Sequence, residues 1–396
     1  MRVQVGPFLW SSQMLFYFFF AYGIFQSFWS VWLEYQEVSV GLIGLTLGCG
    51  AVVRGIVNLV ITPLLSRAFF YTSVLLLLSF LITGLHLASD YAFYLFLMTM
   101  FVNVVFAPVI PLTDAIFTQM AKLEYIDYGR VRIWGTIGFI AGVMAVGYII
   151  EQYGKYYIPH ALCAILLINF AWSLTRPRVK SIQSLAFAKA SWKDLAALFK
   201  DSVCARLLIL VSLLQASHGA YYSFSAIWWQ KLGFSYTEIS YFWTFSMLVE
   251  IAVFAFGQKL LGALRIQHLL YLTGLSVVVR WTITAFASDS WSILLAQTLH
   301  GMTYAATHLL MIRFIQESDI SRAVPLQSAY NGLSMCLFLG GAAMLSGWLF
   351  GLFEGYVFLF MALLGFPALI VSIEPESSLK KAWLFIQGRF VKDKVL

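Results

Sequence analysis

Long runs of apolar residues make up most of the chain, and short polar stretches separate them. A helix needs about 20 predominantly apolar residues to cross a lipid bilayer. Only helices and closed barrels satisfy their backbone hydrogen bonds in lipid, and runs of this length are typical of helices. The pattern therefore predicts an all-α membrane protein with twelve transmembrane helices. They lie near residues 8–33, 40–66, 70–89, 91–121, 129–151, 156–175, 203–230, 236–260, 267–287, 290–316, 323–351 and 354–373.

One longer polar connection divides the predicted helices into two sets of six. We expect an N-terminal six-helix bundle at 1–175, a cytoplasmic linker at 176–202, a C-terminal six-helix bundle at 203–373 and a cytoplasmic tail at 374–396. Within the linker, residues 191–200 place an apolar stripe beside lysines at helical spacing. This pattern predicts a short helix that lies on the inner leaflet or packs against the bundles.

The first helices of the two halves share a short pattern of aromatic and small residues. Its members are Ala21, Tyr22, Phe25 and Trp29 in the first half and Ala220, Tyr221, Phe224 and Trp228 in the second, at a constant offset of 199 residues. Two related six-helix bundles around a central site are the architecture of major facilitator transporters. The repeat, the helix count and the long central connection favour this fold together.

Composition excludes a soluble protein, because 61% of the 396 residues are hydrophobic, only 11% are charged and the mean hydropathy is +0.84. The net charge of +7 does not indicate nucleic-acid binding, since the basic residues lie in short connections between helices. One side of the predicted membrane carries 21 of the 25 lysines and arginines, whereas the other carries Lys155 and Lys231. Positive charge marks the cytoplasmic side. We therefore expect a multi-pass inner-membrane protein with both termini in the cytoplasm.

The four cysteines lie singly within apolar segments, at Cys49, Cys163, Cys204 and Cys336. This scattering favours small packing residues over disulfides or metal ligands. Residues 8–33 are too long for a cleavable signal and lack a small-residue cleavage site, so they form the first crossing. No nucleophile with an adjacent base and no metal-ligand set is present, which argues against an enzyme.

The connection between the fourth and fifth helices holds the first candidate site. Asp114 lies on the fourth helix and Arg132 opens the fifth, and consecutive helices with a short connection are antiparallel neighbours. A carboxylate within a transmembrane helix usually faces a cavity or a partner. Because aspartate can take up a proton and arginine keeps its charge, the pair suits proton-coupled binding of an anion. An ion pair that braces a gate at the cytoplasmic end is the structural alternative.

Three further charges lie within predicted helices. Arg54, near the middle of the second helix, either neutralises Asp114 or binds a substrate anion directly. Glu250 lies at a similar depth in the eighth helix, and Arg280 in the ninth is its expected partner. A permanent Glu250–Arg280 bridge is the structural interpretation. The functional one is that Glu250 takes up the coupling proton, because burial favours its neutral form and a nearby cation favours its charged form.

Two histidines in the tenth helix, His300 and His308, are candidates for carrying a proton. Their spacing of eight residues places them about 80° apart around the helix and about 12 Å apart along it, so they do not meet one small group. No further donor completes a metal site. Each histidine, like His218 in the seventh helix, is alternatively a hydrogen-bonded packing residue.

Aromatic residues cluster on the first helix of each half. We expect some to bind an aromatic or sugar ring and others to pack or to lie at the membrane interface. The candidates for substrate contact are Tyr22, Trp29, Tyr221, Phe224 and Trp228.

Four motifs resemble the 3-phenylpropionate transporter group of the major facilitator superfamily and, more distantly, the lactose permease. They are residues 22–33 (YGIFQSFWSVWL), 111–115 (PLTDA), 127–135 (DYGRVRIWG) and 220–228 (AYYSFSAIW). The resemblance spans both halves and implies an aromatic monocarboxylate as substrate.

The lactose permease comparison implies roles for single residues. Its substrate-binding acid and arginine on the fourth and fifth helices look similarly separated to Asp114 and Arg132. Its charged residues on the eighth, ninth and tenth helices look like Glu250, Arg280 and His300. The resemblance departs at Thr303, which replaces the glutamate that cycles the proton in that family, and at Gln297, which replaces a lysine. The proton route of that family therefore does not carry over intact.

The expected function is proton-coupled uptake of a small aromatic carboxylate by alternating access, with the proton as coupling ion and no other cofactor. The expected partners are the small-molecule substrate and the lipid bilayer, without nucleic acid, and a monomer suffices because the two halves complete one path. Three alternatives stay open. They are a proton-coupled sugar or nucleoside symporter, a multidrug efflux antiporter and a membrane sensor that does not transport.

Overall fold

A computed structural model describes residues 4–65, 67–179 and 191–373 of the protein, which are almost entirely helical. The helices of the first half are α1 (Pro7–Tyr35), α2 (Val40–Val60), α3 (Ala68–Leu85), α4 (Ala92–Phe106), α5 (Val109–Lys122), α6 (Tyr128–Tyr153) and α7 (Ile158–Leu174). Pro108 lies between α4 and α5, which together form the fourth crossing. Two short strands, β1 (Gln4–Val5) and β2 (Arg176–Pro177), pair in parallel at the two ends of this half.

The second half follows a short linker helix. Its elements are α8 (Trp192–Leu198), α9 (Ser202–Ala216), α10 (Gly219–Lys231), α11 (Tyr236–Leu261), α12 (Ile266–Phe286), α13 (Ser290–Thr298), α14 (Thr307–Glu317), α15 (Ile320–Ala329), α16 (Leu339–Phe353), α17 (Val357–Leu363) and α18 (Phe366–Ile370). Two π-helical segments, Gly301–Ala306 and Tyr330–Phe338, join α13 to α14 and α15 to α16.

Length and apolarity identify ten candidate membrane spans in the described residues, of which the last, Ile320–Ile370, is long enough for two crossings. The helix breaks at Glu354, where φ is +48°. Glu354 forms an ion pair of 3.0 Å with Lys231 at the end of α10. At the opposite end, Arg206 in the first turn of α9 donates a hydrogen bond to the carbonyl of Ser372. The chain from Glu354 to Ser372 therefore crosses from one end of the bundle to the other.

Similar contacts orient the neighbouring crossings. Arg322, near the start of α15, forms an ion pair of 2.8 Å with Asp201, which precedes α9. Arg313 in α14 donates to the carbonyls of Gly262 and Leu264, in the connection between α11 and α12. These contacts define one end of the molecule, here called the basic end; the opposite end is called the far end. With α13–α14, the described residues make twelve crossings, as the sequence predicts.

Glycines bring the two bundles into close contact toward the far end. A Cβ on Gly44 of α2 would lie 2.5 Å from the Cα of Gly347 in α16, and Gly48 packs against the carbonyl of Gly340 in the same way. A Cβ on Gly147 of α6 would lie 2.7 Å from the carbonyl oxygen of Tyr236 in α11. Backbone contact at these points leaves no room for a passage between the bundles.

Polar contacts join the bundles at the same end. The carboxylate of Glu151 in α6 accepts a hydrogen bond of 2.9 Å from the backbone N–H of Tyr236, the first residue of α11. Lys155 forms an ion pair of 3.4 Å with Glu34 and lies 5.7 Å from the centre of the Tyr236 ring. Glu151 of the N-terminal bundle thus caps the start of α11 in the C-terminal bundle.

The linker helix forms where the sequence predicts it. Ser191 and Asp194 make a capping box at its start, which satisfies two otherwise unpaired N–H groups. Leu198 is buried and α8 packs against α15. These contacts favour a helix packed on the C-terminal bundle over one lying free on the membrane. Residues 180–190 of the predicted linker and the predicted tail at 374–396 lie outside the described residues.

Candidate functional site

A cavity of about 1070 Å³ lies between the two bundles. Both halves supply its walls, from α1, α2, α4 and α6 on one side and from α10, α11 and the two π-helical segments on the other. Its polar and aromatic lining residues are Phe19, Tyr22, Phe25, Gln26, Ser30, Arg54, Asn58, Asn103, Tyr128, Arg132, Thr136, Phe139, Tyr222, Ser223, Trp243, Glu250, Phe254 and Tyr304. The volume suits a small organic molecule.

The cavity extends to the basic end. Tyr128 and Gly129, in the first turn of α6, line it, and so does Asn58 near the end of α2. At the far end the glycine contacts and the Glu151–Tyr236 hydrogen bond close the space between the bundles. The structure is therefore open on the basic side.

Arg54 lies on the face of α2 that lines the cavity. Leu47, Ala51, Arg54 and Asn58 recur at helical spacing and all contact the same space. In the described residues Arg54 has neither an ion pair nor a hydrogen bond, and it does not neutralise Asp114 as one interpretation of the sequence required. A half-buried guanidinium without an anion is unfavourable in a site of low dielectric, so this position favours an anionic ligand.

Asp114 and Arg132 come together as the sequence predicts, with Arg132 Nη1 at 3.5 Å from Asp114 Oδ1. The hydroxyl of Tyr128 donates a second hydrogen bond of 3.2 Å to the same oxygen. Arg132 lines the cavity and lies 5.0 Å from the centre of the Phe19 ring, whereas Asp114 lies behind it. The aspartate thus positions the arginine at the wall, and Arg132 keeps donors available on the cavity side because one long contact occupies only part of its guanidinium.

Glu250 does not pair with Arg280, which corrects the partner predicted from the sequence. Its Oε2 lies 3.3 Å from Nε2 of His300, and its side chain is 20% exposed to the cavity, whereas His300 is fully buried. The physical reason is that Arg280 is fully buried against Thr303 and Gln297, whereas Glu250 lines the cavity.

Arg280 is fully buried and is held by neutral groups. It donates to Thr303 Oγ1 at 2.8 Å and to Gln297 Oε1 at 2.9 Å. Its guanidinium carbon lies 4.8 Å and 4.2 Å from the ring centres of Tyr221 and Trp281. The two residues at which this chain departs from the lactose permease pattern, Gln297 and Thr303, are thus the hydrogen-bond partners of Arg280. Hydrogen bonds and ring faces offset the cost of burying its charge.

The remaining histidines are hydrogen-bonded and lie outside the cavity lining. His308 Nδ1 is 2.9 Å from the hydroxyl of Tyr330. His218 contacts the carbonyl of Gln215 through Nδ1 and Thr303 Oγ1 through Nε2. These hydrogen bonds are typical of packing residues, which is the structural alternative given above for both histidines.

Of the five aromatic residues predicted to contact substrate, Tyr22 lines the cavity. Trp29 is buried in the N-terminal bundle, where its Nε1 donates to Thr99 Oγ1. Phe224 is buried and stacks on Phe350 with ring centres 4.7 Å apart. The expectation of substrate contact is corrected for these two, because their rings fill the spaces between helices within one bundle.

The other two predicted aromatic contacts are also corrected. Tyr221 is buried, and its hydroxyl bonds Ser246 and Gln297, away from the cavity. Trp228 packs against Gly355 near the far end. Both belong to the seventh crossing, which breaks at His218, whereas α1 runs without interruption. Residues aligned by the sequence repeat therefore face different surroundings.

Four aromatic residues that were not predicted as substrate contacts line the C-terminal wall of the cavity. They are Tyr222, Trp243, Phe254 and Tyr304. Trp243 and Phe254 recur with Met247 and Glu250 at spacings of three and four residues on α11. Helical periodicity around Glu250 was the signal that would have identified Trp243 and Phe254. In the described residues no group of three metal-binding side chains occurs.

Comparisons with known proteins identify the family of this chain. The MFS_1 like family matches residues 8–370. The "Probable 3-phenylpropionic acid transporter" of Escherichia coli (strain K12) is 32% identical over 370 residues, which cover 91% of this chain and 96% of that protein. The "Maltose permease" of Geobacillus stearothermophilus is 26% identical over 344 residues, covering 83% and 86% of the two chains.

A solved structure, the nucleoside transporter NupG, shares the fold. It superposes with a TM-score of 0.74 at 18% identity, covering 92% of this chain and 98% of that one. All of these proteins are transporters rather than enzymes, in agreement with the prediction from sequence. The chain belongs to the MFS_1 like family and is a secondary transporter of the major facilitator superfamily.

Proposed function

We propose that this transporter takes up a small aromatic carboxylate together with a proton. The observation that carries the proposal is the guanidinium of Arg54, which faces an aromatic-lined cavity without an anionic partner in the described residues. The identity of 32% to a probable 3-phenylpropionic acid transporter supports the same substrate class.

Recognition of the substrate divides between two kinds of side chain. A guanidinium binds a carboxylate through two parallel N–H···O bonds, and Arg54 is placed to form them. Arg132 offers a second donor nearer the mouth at the basic end, which an anion taken up from outside passes last. Tyr22, Phe25 and Trp243 supply ring faces and edges for the aromatic part.

Coupling to the proton rests on the placement of Glu250. Arg54 and Glu250 each lie 14 residues from the first residue of their helix at the far end, Val40 and Tyr236, so both are about 20 Å from that end. Two like charges separated by about 10 Å repel by about 1.7 kcal/mol at an effective dielectric constant of about 20. An ionised Glu250 therefore disfavours a substrate anion in the cavity, and protonation removes this penalty. By linkage the bound anion favours the proton equally.

Orientation follows from the positive charge at one end. The basic end is the cytoplasmic end by the positive-inside rule, which also places both termini in the cytoplasm of a bacterial-type inner membrane. The cavity then faces inward. One chain completes the path between its two bundles, so the functional unit is a monomer.

Uptake into membrane vesicles tests this function. Labelled 3-phenylpropionate should accumulate in vesicles with an inward proton gradient and should leave when an ionophore dissipates that gradient. Empty vesicles and an Arg54→Gln variant serve as controls. Accumulation that is unaffected by the ionophore contradicts proton symport, and absence of both uptake and binding contradicts the substrate class.

Proton-coupled uptake of a sugar or nucleoside is the second candidate. The similarity to a maltose permease over 83% of the chain favours it, and amide side chains at Gln26, Asn58 and Asn103 suit hydroxyl groups. A thermal-shift screen of the purified chain against aromatic acids, maltose and nucleosides separates the two. If sugars alone stabilise the protein, the substrate is a sugar rather than an aromatic acid.

A further inference from the structure

Three tyrosines from both bundles line the cavity with unpaired hydroxyl groups. They are Tyr22 on α1, Tyr222 on α10 and Tyr304 in the π-helical segment of the tenth crossing. None of the three hydroxyls has a hydrogen-bond partner within the described residues, and none belongs to the sealed, unsatisfied polar atoms of the interior. Each therefore presents a donor and an acceptor to whatever fills the cavity.

Ring contacts show that the tyrosines of the C-terminal wall are neighbours. The ring centres of Tyr222 and Tyr304 lie 5.8 Å and 5.9 Å from that of His218. Tyr222 also stacks on Trp243, and Tyr304 stacks on His300 with an interplanar angle of 5°. Packing on these rings holds both phenols in place, so their hydroxyls form a fixed polar patch.

Tyr22 lines the same cavity from the other bundle. It packs against Phe19 and Phe139, with ring centres 6.3 Å and 6.2 Å away. Tyr22, Tyr222, Tyr304 and Glu250 all line the same cavity. Tyr222 and Tyr304 thus share the C-terminal wall with Glu250, opposite Arg54, whereas Tyr22 faces the cavity from the same bundle as Arg54.

The chemistry of this arrangement disfavours a purely apolar ring. A hydrocarbon placed against three phenol hydroxyls displaces water from them and returns no hydrogen bond, which costs binding free energy. A site built to bond a substrate hydroxyl discriminates strongly against an analogue that lacks it. A phenolic hydroxyl, which donates and accepts, matches the three groups.

We infer that the preferred substrate is an aromatic carboxylate whose ring bears a hydroxyl group, held at the ring by Tyr22, Tyr222 and Tyr304 and at the carboxylate by Arg54. This inference rests on the proposed function and narrows its substrate class. The hydroxyl then contacts Tyr222 and Tyr304 of the C-terminal bundle and the carboxylate contacts Arg54 of the N-terminal bundle, so one molecule bridges the two parts that move in alternating access.

Binding to the purified full-length chain tests the inference. The ligands are 3-phenylpropionate, its 2-, 3- and 4-hydroxy derivatives, and the corresponding methyl derivatives, which match the hydroxyl in size but form no hydrogen bond. We expect the best hydroxy derivative to bind about tenfold more tightly than its methyl counterpart. Tyr304→Phe and Tyr222→Phe should each reduce this ratio at least threefold, while the affinity for the methyl derivative should not fall. Tyr153→Phe, at an exposed position of α6, is the matched control.

The outcomes separate this inference from the proposed function. Equal affinity for hydroxy and methyl derivatives, or a ratio that survives in Tyr22→Phe, Tyr222→Phe and Tyr304→Phe, overturns the inference and leaves aromatic carboxylate transport standing. Failure of every aromatic acid to bind the unaltered chain overturns both. Retained binding of the methyl derivatives shows that each variant is folded.

Discussion

Nε2 of His300 lies 3.3 Å from Oε2 of Glu250, yet only Glu250 reaches the cavity. His300 is fully buried, so a proton from solvent arrives at this pair through the glutamate. Because protonated Glu250 donates a hydrogen bond to a neutral imidazole, the pair can hold one proton without leaving an unpaired charge. Changes at these two residues should therefore affect coupling more than substrate affinity.

Replacement of Glu250 by glutamine should uncouple transport. Glutamine resembles the protonated acid, so substrate affinity should stay within about threefold and exchange of labelled for unlabelled substrate should continue. Accumulation driven by a proton gradient should disappear. Uptake and counterflow in proteoliposomes measure the two activities. Glu354→Gln, which removes an ion pair at the far end, should retain accumulation. Proton-driven accumulation by Glu250→Gln would contradict the assignment.

Arg54 should matter more for affinity than Arg132. A hydrogen bond to a charged group contributes about 1.5 to 3 kcal/mol, so Arg54→Gln should raise the Kd about 10- to 150-fold. Arg132→Gln should have a smaller effect, because Asp114 already neutralises part of its charge. Isothermal titration measures both. Arg130→Gln, at an exposed residue paired with Asp127, is the control. An equal increase in Kd for Arg54→Gln and Arg130→Gln would contradict a role of Arg54 in substrate binding.

Cys336 offers a native probe of the open side. It lines the cavity, whereas Cys49, Cys163 and Cys204 do not. A membrane-impermeant maleimide should label Cys336 in inside-out vesicles, which expose the basic end, and substrate should slow the reaction. Mass spectrometry of the labelled peptide identifies the site, and Cys336→Ala gives the background. Faster labelling in right-side-out vesicles would reverse the orientation proposed for the cavity.

Gly147→Ala should destabilise closure at the far end. Its added methyl would lie 2.7 Å from the Cβ of Ser240 and from the carbonyl of Tyr236, so the bundles must separate there. We expect the impermeant maleimide to reach Cys336 from the far side in this variant. Gly341→Ala, whose methyl meets open space, controls for the gain in helix propensity. Identical labelling in both variants would contradict the role of Gly147 in closure.

The Asp201–Arg322 ion pair should give stability that depends on pH. The hydrogen bond from Arg322 lowers the pKa of Asp201 below its ordinary value, and the aspartate also caps α9. Because the folded pKa is the lower one, the stabilisation is present above the unfolded pKa of about 3.9 and is lost as pH falls through the folded value. Asp201→Asn keeps the cap and loses the ion pair, which contributes about 0.2–1 kcal/mol at the surface.

Thermal unfolding in detergent measures this effect. The difference in Tm between the unaltered chain and Asp201→Asn should be constant from about pH 7 to 5 and should shrink in acid below the unfolded pKa. Asp201→Ala, which also removes the cap, should be less stable than Asp201→Asn at every pH. A difference that grows toward low pH would contradict the sign of the shift.

The sequence predicts the fold well because lipid leaves few alternatives. Spans of apolar residues and the bias of lysine and arginine define the crossings, and the Asp114–Arg132 contact follows from antiparallel neighbours joined by a short connection. Side-chain direction was harder to predict. The helix breaks at His218, and beyond this break Tyr222 rather than Tyr221 lines the cavity. His300, which precedes a π-helical segment, contacts Glu250 in place of the predicted partner Arg280. Such local irregularities depend on tertiary packing, which hydropathy does not record.

The paired glycines of α2 and α16 also bear on how the molecule moves. Gly44 faces Gly347 and Gly48 faces Gly340 through backbone atoms. Helices whose side chains interdigitate resist relative movement because those side chains must repack. Helices that touch through their backbones move apart with less repacking. Exchange to an outward-facing state would therefore separate Gly44 from Gly347 and Gly48 from Gly340, which exposes backbone with little unpacking of side chains.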